Sequence, residues 1–371
     1  MAVNLPASRQ RGERARDCRG RHGRYAARVI TRQTFGRMAD GEEVGVYEIT
    51  NTSGSSVCIL DYGGIVQALR VPGRGGNLAD VALGGADMEF YLRRHPYFGC
   101  ITGRVAGRIT RGELRIDGRE YRLAVNNPPN HLHGGVTGLD RRIWRAEPDG
   151  DDTLVLRYRS PDGEEGYPGN VDLMVSYRWT PGNELVIESE AQVDKPTPVS
   201  LTNHSYFNLA GEGSGPVGDH RVQILACEYV PSDDDCTLSG VRGPVAGAND
   251  LRQPARFDDF VPRLHLQHGD NYLLGPRGSG VVTVARVHEP RSGRTLEVRT
   301  DEDCLQFYTG VMLDGSFAGK SGVPYGRHHG LCLECQGYPD GVALPELGEI
   351  IVRPGQPRRR TTVYAFGVDA D

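Results

Sequence analysis

Alternation with a period of two, repeated along the chain and punctuated by turn residues, constrains this sequence more than any other feature. In Val171–Trp179 the residues Val171, Leu173, Val175, Tyr177 and Trp179 fall on one side of an extended segment, and Asp172, Ser176 and Arg178 on the other. That period belongs to a half-buried strand. Residues 180–183 (Thr-Pro-Gly-Asn) supply a turn, and Leu185, Ile187, Ala191 and Val193 resume the pattern with Glu188, Glu190 and Gln192 facing away, which predicts an antiparallel hairpin. Asp117-Gly118 within 114–121 matches the left-handed demands of a two-residue turn. Residues 291–293 predict another turn, between strands over 281–287 and 295–299. Capping signals followed by a sustained 3.6-residue period are missing, so helix is expected only in short pieces such as 88–94. The 50 glycines and 23 prolines among 371 residues suit many turns, yet stay below the roughly one quarter at which low-complexity disorder becomes the default. With no internal repeat or linker, the expected fold is all-β, one large antiparallel β-sandwich whose sheet face is open to a ligand. The Gly- and Pro-rich stretch 239–254 is expected to be a long loop of the kind often found near sites.

Charge and hydropathy exclude several classes of function. Lys and Arg number 43 against 48 Asp and Glu, a formal net charge of −5, so the chain offers no broad positive field to nucleic acid or an anionic membrane. No run approaches the ~18 to 20 apolar residues of a spanning helix. Residues 1–37 contain ten arginines against Glu13 and Asp17, without the apolar stretch of a secretory signal. Residues 1–28 are accordingly read as a basic, disordered extension rather than a transit peptide, and residues 29–371 as the folded domain. Eight scattered cysteines suit reduced thiols in the cytoplasm rather than a disulfide framework.

Four clusters depart from strand patterning. Arg104 and Arg108 each offer a fork of N–H donors to ligand oxygens, although surface arginine is the ordinary alternative. His131 and His133, two apart, would share one side of an extended segment. They lack an evident third metal ligand, so hydrogen bonding is preferred over metal binding. In 200–211, His204 sits among Asn, Ser and Tyr; it is either a chemical group or a satisfied core histidine whose neighbours fix the backbone. Glu334 lies amid apolar residues in 331–340, where burial would raise its pKa unless a charged partner restored ionisation. Cys332 and Cys335 form a lone C-x-x-C, lacking the second pair that zinc requires, and are read as packing thiols.

In this order the clusters resemble the aldose 1-epimerase family, the galactose mutarotases, from about Val29 onward. The likeness rests on Thr202-Asn-His-Ser-Tyr-Phe-Asn-Leu-Ala-Gly211, Asn130-His-Leu-His-Gly-Gly135, Leu305-Gln-Phe-Tyr-Thr-Gly310 and Glu334-Cys-Gln-Gly-Tyr-Pro-Asp340. It implies a galactose-mutarotase-like β-sandwich with no metal or organic cofactor, interconverting the anomers of a free hexose such as galactose or glucose, as a monomer or weak homodimer. It further implies Glu334 as general base, His204 as general acid and His133 assisting near the ring oxygen, with Arg108, Asp270 and Gln306 holding sugar hydroxyls. The chain departs from the family pattern at Gly107, at Cys335, at Val311-Met312, and after Asp270, where Asn271 stands in place of a common His.

The residue chemistry supports that reading independently. Opening a pyranose ring takes a proton from the anomeric hydroxyl and gives one to the ring oxygen, so one base and one acid must flank C1 and O5. With reference pKa values of ~4.3 and ~6.5, Glu334 and His204 would serve near neutrality without extreme tuning. Two rivals are a non-catalytic carbohydrate-binding or regulatory module and a glycosidase pairing Asp270 with Glu334.

Overall fold

The alternating segments become strands. The computed structural model describes residues 29–275, 280–345 and 348–369; the expected extension over residues 1–28 lies outside them. Val171–Trp179 pairs antiparallel with Glu184–Val193, in a register running from Val171 opposite Val193 to Trp179 opposite Leu185. The five odd-numbered apolar residues are buried, while Asp172 and Arg178 are exposed. Asn183 closes the turn with φ 59° and donates its N–H to the Thr180 carbonyl.

This hairpin lies inside a nine-stranded sheet that also holds Arg145–Asp149 and Thr153–Ser160 on one side and Arg358–Val368, Arg294–Thr300, Val282–His288, Arg221–Ile224 and Ala255–Arg256 on the other. Two five-stranded sheets accompany it. One is a meander from Val29–Arg37 to Leu78–Asp80; the other runs Gly243–Pro244, Glu228–Val230, Asn271–Leu273, Cys304–Tyr308, Cys332–Gln336. A shared apolar core joins the three, taking Ile49 and Val57 from the meander, Val175, Leu185 and Tyr364 from the large sheet, and Leu305, Phe307 and Leu333 from the third. The Tyr364 hydroxyl donates to the Leu333 carbonyl at 2.9 Å, which ties the large sheet to the third.

The turns form where their residues require. Asp117 and Gly118 both take positive φ, 48° and 80°, between Glu113–Ile116 and Arg119–Arg122. The short helix is Met88–Leu92, capped by the Asp87 side chain accepting from the Phe90 N–H. It stops because Pro96 and the extended Arg93 cannot continue it. A second short helix, Phe257–Phe260, carries no sequence signal strong enough to predict it. Residues 239–254 are mostly loop, with Val245 and Leu251 anchored in the core. Among the described residues no helix is long and apolar enough to cross a membrane.

Candidate active site

Strand alternation brings Glu334 to a cavity. In Cys332–Gln336, Leu333 and Cys335 pack into the core, so Cys332, Glu334 and Gln336 face the other way. The two cysteines of the C-x-x-C thus lie on opposite faces, as packing thiols would. Gln306 stands directly opposite Glu334 on the neighbouring strand, and Asn271 opposite Gln306 on the next. Directly opposite residues share a face, so Glu334 and Gln306 come to the cavity side by side.

His204 follows Thr202–Asn203, which pairs with Ile101–Thr102. Its neighbours fix the backbone: the Asn203 amide donates to the Gly99 carbonyl at 2.8 Å, Ser205 Oγ donates to Asn203 Oδ1 at 2.6 Å, and His204 N–H donates to the Cys100 carbonyl at 2.9 Å. The imidazole lies between Tyr97 and Tyr206, with ring centroids 5.8 and 5.1 Å away and planes within 30° of parallel. Nε2 stands 3.6 Å from Glu334 Oε1, and Nδ1 3.7 Å from Cys332 Sγ.

His133 completes the group. Its Nδ1 accepts from the Gly107 N–H at 3.1 Å, and its ring centroid is 5.1 Å from that of His204. One ligand atom from each of His133, His204 and Glu334 lies within 4.8 Å of the others. Two imidazoles and a carboxylate form a donor set that zinc accepts, and His133 thereby gains neighbours that sequence spacing could not reveal. Arg108 enters from the side, its guanidinium donating to Asn127 Oδ1 at 2.9 Å and to the Cys236 carbonyl at 3.3 Å.

Three expectations need correction. His131 and His133 do not share a side. The strand ends at Leu132, and His133 takes φ 50°, which breaks the alternation. His131 is a satisfied core residue, with Nδ1 2.7 Å from the Ala124 carbonyl and Nε2 2.7 Å from the Tyr167 hydroxyl. The glycine that follows His133 is obligatory: a Cβ on Gly134 would stand 1.7 Å from the Gly103 carbonyl oxygen.

Asp270 is not among the cavity-lining residues, which include Glu334, His204, His133, Arg108 and Gln306. It stands just before the strand Asn271–Leu273, directly after the left-handed Gly269, and its Oδ1 accepts from the Ser232 N–H at 3.0 Å. His268 lines the cavity instead. Sequence reasoning missed this residue; the available signal was a histidine immediately before a glycine.

The third correction concerns protons. Glu334 and His204 are 3% and 4% exposed, and burial dominates both. Desolvation pushes Glu334 up to about 8, against a smaller pull downward from Arg108, and pushes His204 down to about 4. His133 is held well below the usual histidine range for the same reason, with the neighbouring His204 adding to it. The reference values therefore do not apply: taken singly, each group prefers its neutral form. Arg104, the other arginine of its cluster, is structural. It is 2% exposed and donates to Ser160 Oγ and to the carbonyls of Ser160, Pro161 and Pro168.

Residues 45–365 match the aldose 1-epimerase family. The chain is 42% identical to the galactose mutarotase of Rattus norvegicus over 341 residues, covering 91% of this chain and 99% of that one. It is 33% identical to the aldose 1-epimerase of Escherichia coli strain K12, over 88% of this chain and 96% of the relative. Among solved structures, an aldose epimerase homologue from C. elegans superimposes with a TM-score of 0.83 at 28% identity, covering 88% of this chain and all of that one. A galactose 1-epimerase from Lactobacillus acidophilus does so with a TM-score of 0.80 at 25% identity, over 93% of this chain and all of that one.

Proposed function

Because the chain belongs to the aldose 1-epimerase family, we propose that it interconverts the α and β anomers of free hexoses, with Glu334 and His204 moving the protons. The observation that carries this reading is the 3.6 Å approach of His204 Nε2 to Glu334 Oε1, two buried side chains that line one cavity. Two neutral-preferring groups at that distance hold one proton between them near neutral pH, and with that proton on His204 the Glu334 carboxylate is the base and the imidazolium the acid.

The resemblance gives the direction. Glu334 takes the proton of the anomeric hydroxyl while His204 delivers one to the ring oxygen; the C1–O5 bond breaks and the C1 carbonyl forms. Rotation about C1–C2 presents the other carbonyl face. Reclosure reverses both transfers, so O5 returns its proton to His204 and the new anomeric oxygen regains one from Glu334. Protons and electrons balance with no added water or redox partner. Arg108 and Gln306 supply N–H donors, and the Gln306 carbonyl an acceptor, to ring hydroxyls; His133, with Nδ1 tied to Gly107, turns Nε2 to the sugar.

A glycosidase reading loses support because Glu334 is the sole carboxylate among the described residues lining the cavity. Polarimetry on freshly dissolved α-galactose and α-glucose, corrected for spontaneous mutarotation, tests the proposal. Acceleration of the optical change supports epimerisation. Saturable sugar binding without acceleration would replace it with the carbohydrate-binding module.

A further inference from the structure

The side of the cavity where a carboxylate is expected carries an imidazole, and the backbone explains how. Gly269 takes φ 95°, and a Cβ there would stand 2.4 Å from the Phe307 carbonyl oxygen, so the tight reversal between His268 and Asp270 requires glycine. Beyond it the strand begins, and Asp270 is committed to Ser232. Before it His268 is 8% exposed, with its ring against Tyr308 at a centroid distance of 4.8 Å and its carbonyl accepting from the Thr309 N–H at 3.1 Å.

The chemistry of that ring is specific. Nδ1 lies 3.0 Å from the Gly269 carbonyl, an acceptor only, so Nδ1 carries the hydrogen. Nε2 is then a lone-pair acceptor, with no hydrogen-bond partner among the described residues. Burial holds the group down to about 4, which keeps it uncharged at neutral pH. Resting on the epimerase reading above, we propose that His268 Nε2 accepts a hydrogen bond from one ring hydroxyl of the bound hexose, and is a residue that determines which hexoses the cavity prefers.

A neutral acceptor has two consequences there. It adds no negative charge beside Glu334, whereas a second carboxylate would push that group's pKa higher still. It also accepts one hydroxyl where a carboxylate can accept two, so discrimination falls on a single position of the sugar.

The test is a scan of kcat/KM over the parent hexose and its 2-, 3-, 4- and 6-deoxy analogues, in the parent protein, His268→Asn and His268→Gln. In the parent, the deoxy sugar lacking the contacted hydroxyl should lose about tenfold. In His268→Asn, which keeps a donor for Gly269 but does not reach the Nε2 position, the hexose should lose about tenfold, chiefly through KM, and the penalty at that one deoxy position should vanish. In His268→Gln, whose amide oxygen reaches further, the penalty should return. Ratios between sugars within one variant do not depend on how much of it folds. Unchanged ratios in both variants, or a uniform loss on every sugar, would make His268 a mere structural support and overturn the inference. If the parent accelerates no free hexose, the epimerase reading itself falls, and that result is distinct.

Discussion

Removing either partner of the Glu334–His204 pair should turn the pH dependence of the reaction around, in opposite directions for the two variants. The gap between about 8 for Glu334 and about 4 for His204, at ~1.36 kcal/mol per pH unit, favours the neutral arrangement by about 5 kcal/mol. Attraction between the charged forms at 3.6 Å returns roughly 5 kcal/mol at an effective dielectric of about 20. The two proton positions are thus nearly equal in energy, and what matters for the rate is that the pair holds one proton in total. In the parent, kcat/KM should be flat between limbs near 4 and near 8, since below the first the pair holds two protons and above the second none. In His204→Gln the surviving carboxyl is a base only when ionised, so the residual rate should climb with pH through about 8, where the parent falls. In Glu334→Gln the surviving imidazole is an acid only when protonated, so the residual rate should climb as pH drops toward about 4. Each variant should lose on the order of 10² to 10⁴ in rate. The assay is polarimetry from pH 4 to 9.5 with the spontaneous rate subtracted at every point. Residual profiles that kept the parental shape in both variants would refute the shared-proton argument and direct attention to His133.

Five further outcomes are expected. Arg104→Met should lower stability in urea by about 3 kcal/mol or more, from carbonyls left without donors, while Arg108→Ala should raise KM with little change in melting temperature. Chelator treatment should leave turnover unchanged; loss of activity restored by zinc would show that His133, His204 and Glu334 hold a metal. A chain lacking residues 1–28 should melt and turn over like the full chain, because that segment has too little apolar surface to join a core. Asp140 is buried and raised to about 7 from 3.8, so between those values the unfolded chain ionises and the folded one does not, and stability falls as pH rises through that window. Asp140→Asn should therefore gain on the parent by up to about 4 kcal/mol between pH 4 and 8, read from urea unfolding at the two pH values.

The sequence carried the fold because its signals are local. A period of two over Val171–Trp179 and an Asp-Gly pair at 117–118 state their structures within a few residues. Glu334 was legible for a related reason: an acid inside an apolar strand has to be explained wherever the strand goes. The rest depended on distant parts of the chain. Nothing near Arg104 announces that the carbonyls of residues 160, 161 and 168 will enclose it while Arg108 remains at the cavity. One left-handed residue at position 133 and another at 269 decided which histidine faced the site and which carboxylate turned away. Burial, which moved both proton-carrying groups from their reference values, belongs to the assembled fold alone.

The two-faced strand Cys332–Gln336 bears on how this catalyst can be altered by mutation. Leu333 and Cys335 on one side and Glu334 on the other share five residues of backbone, so a change of core volume there shifts the carboxylate relative to His204. Drift that would be silent elsewhere in the core is visible to selection on rate at these positions. Sugar preference has more freedom, because Arg108 and His268 reach the cavity from turns and short segments with independent supports. Laboratory evolution toward a new hexose should accumulate its changes around those two residues and leave the strand untouched.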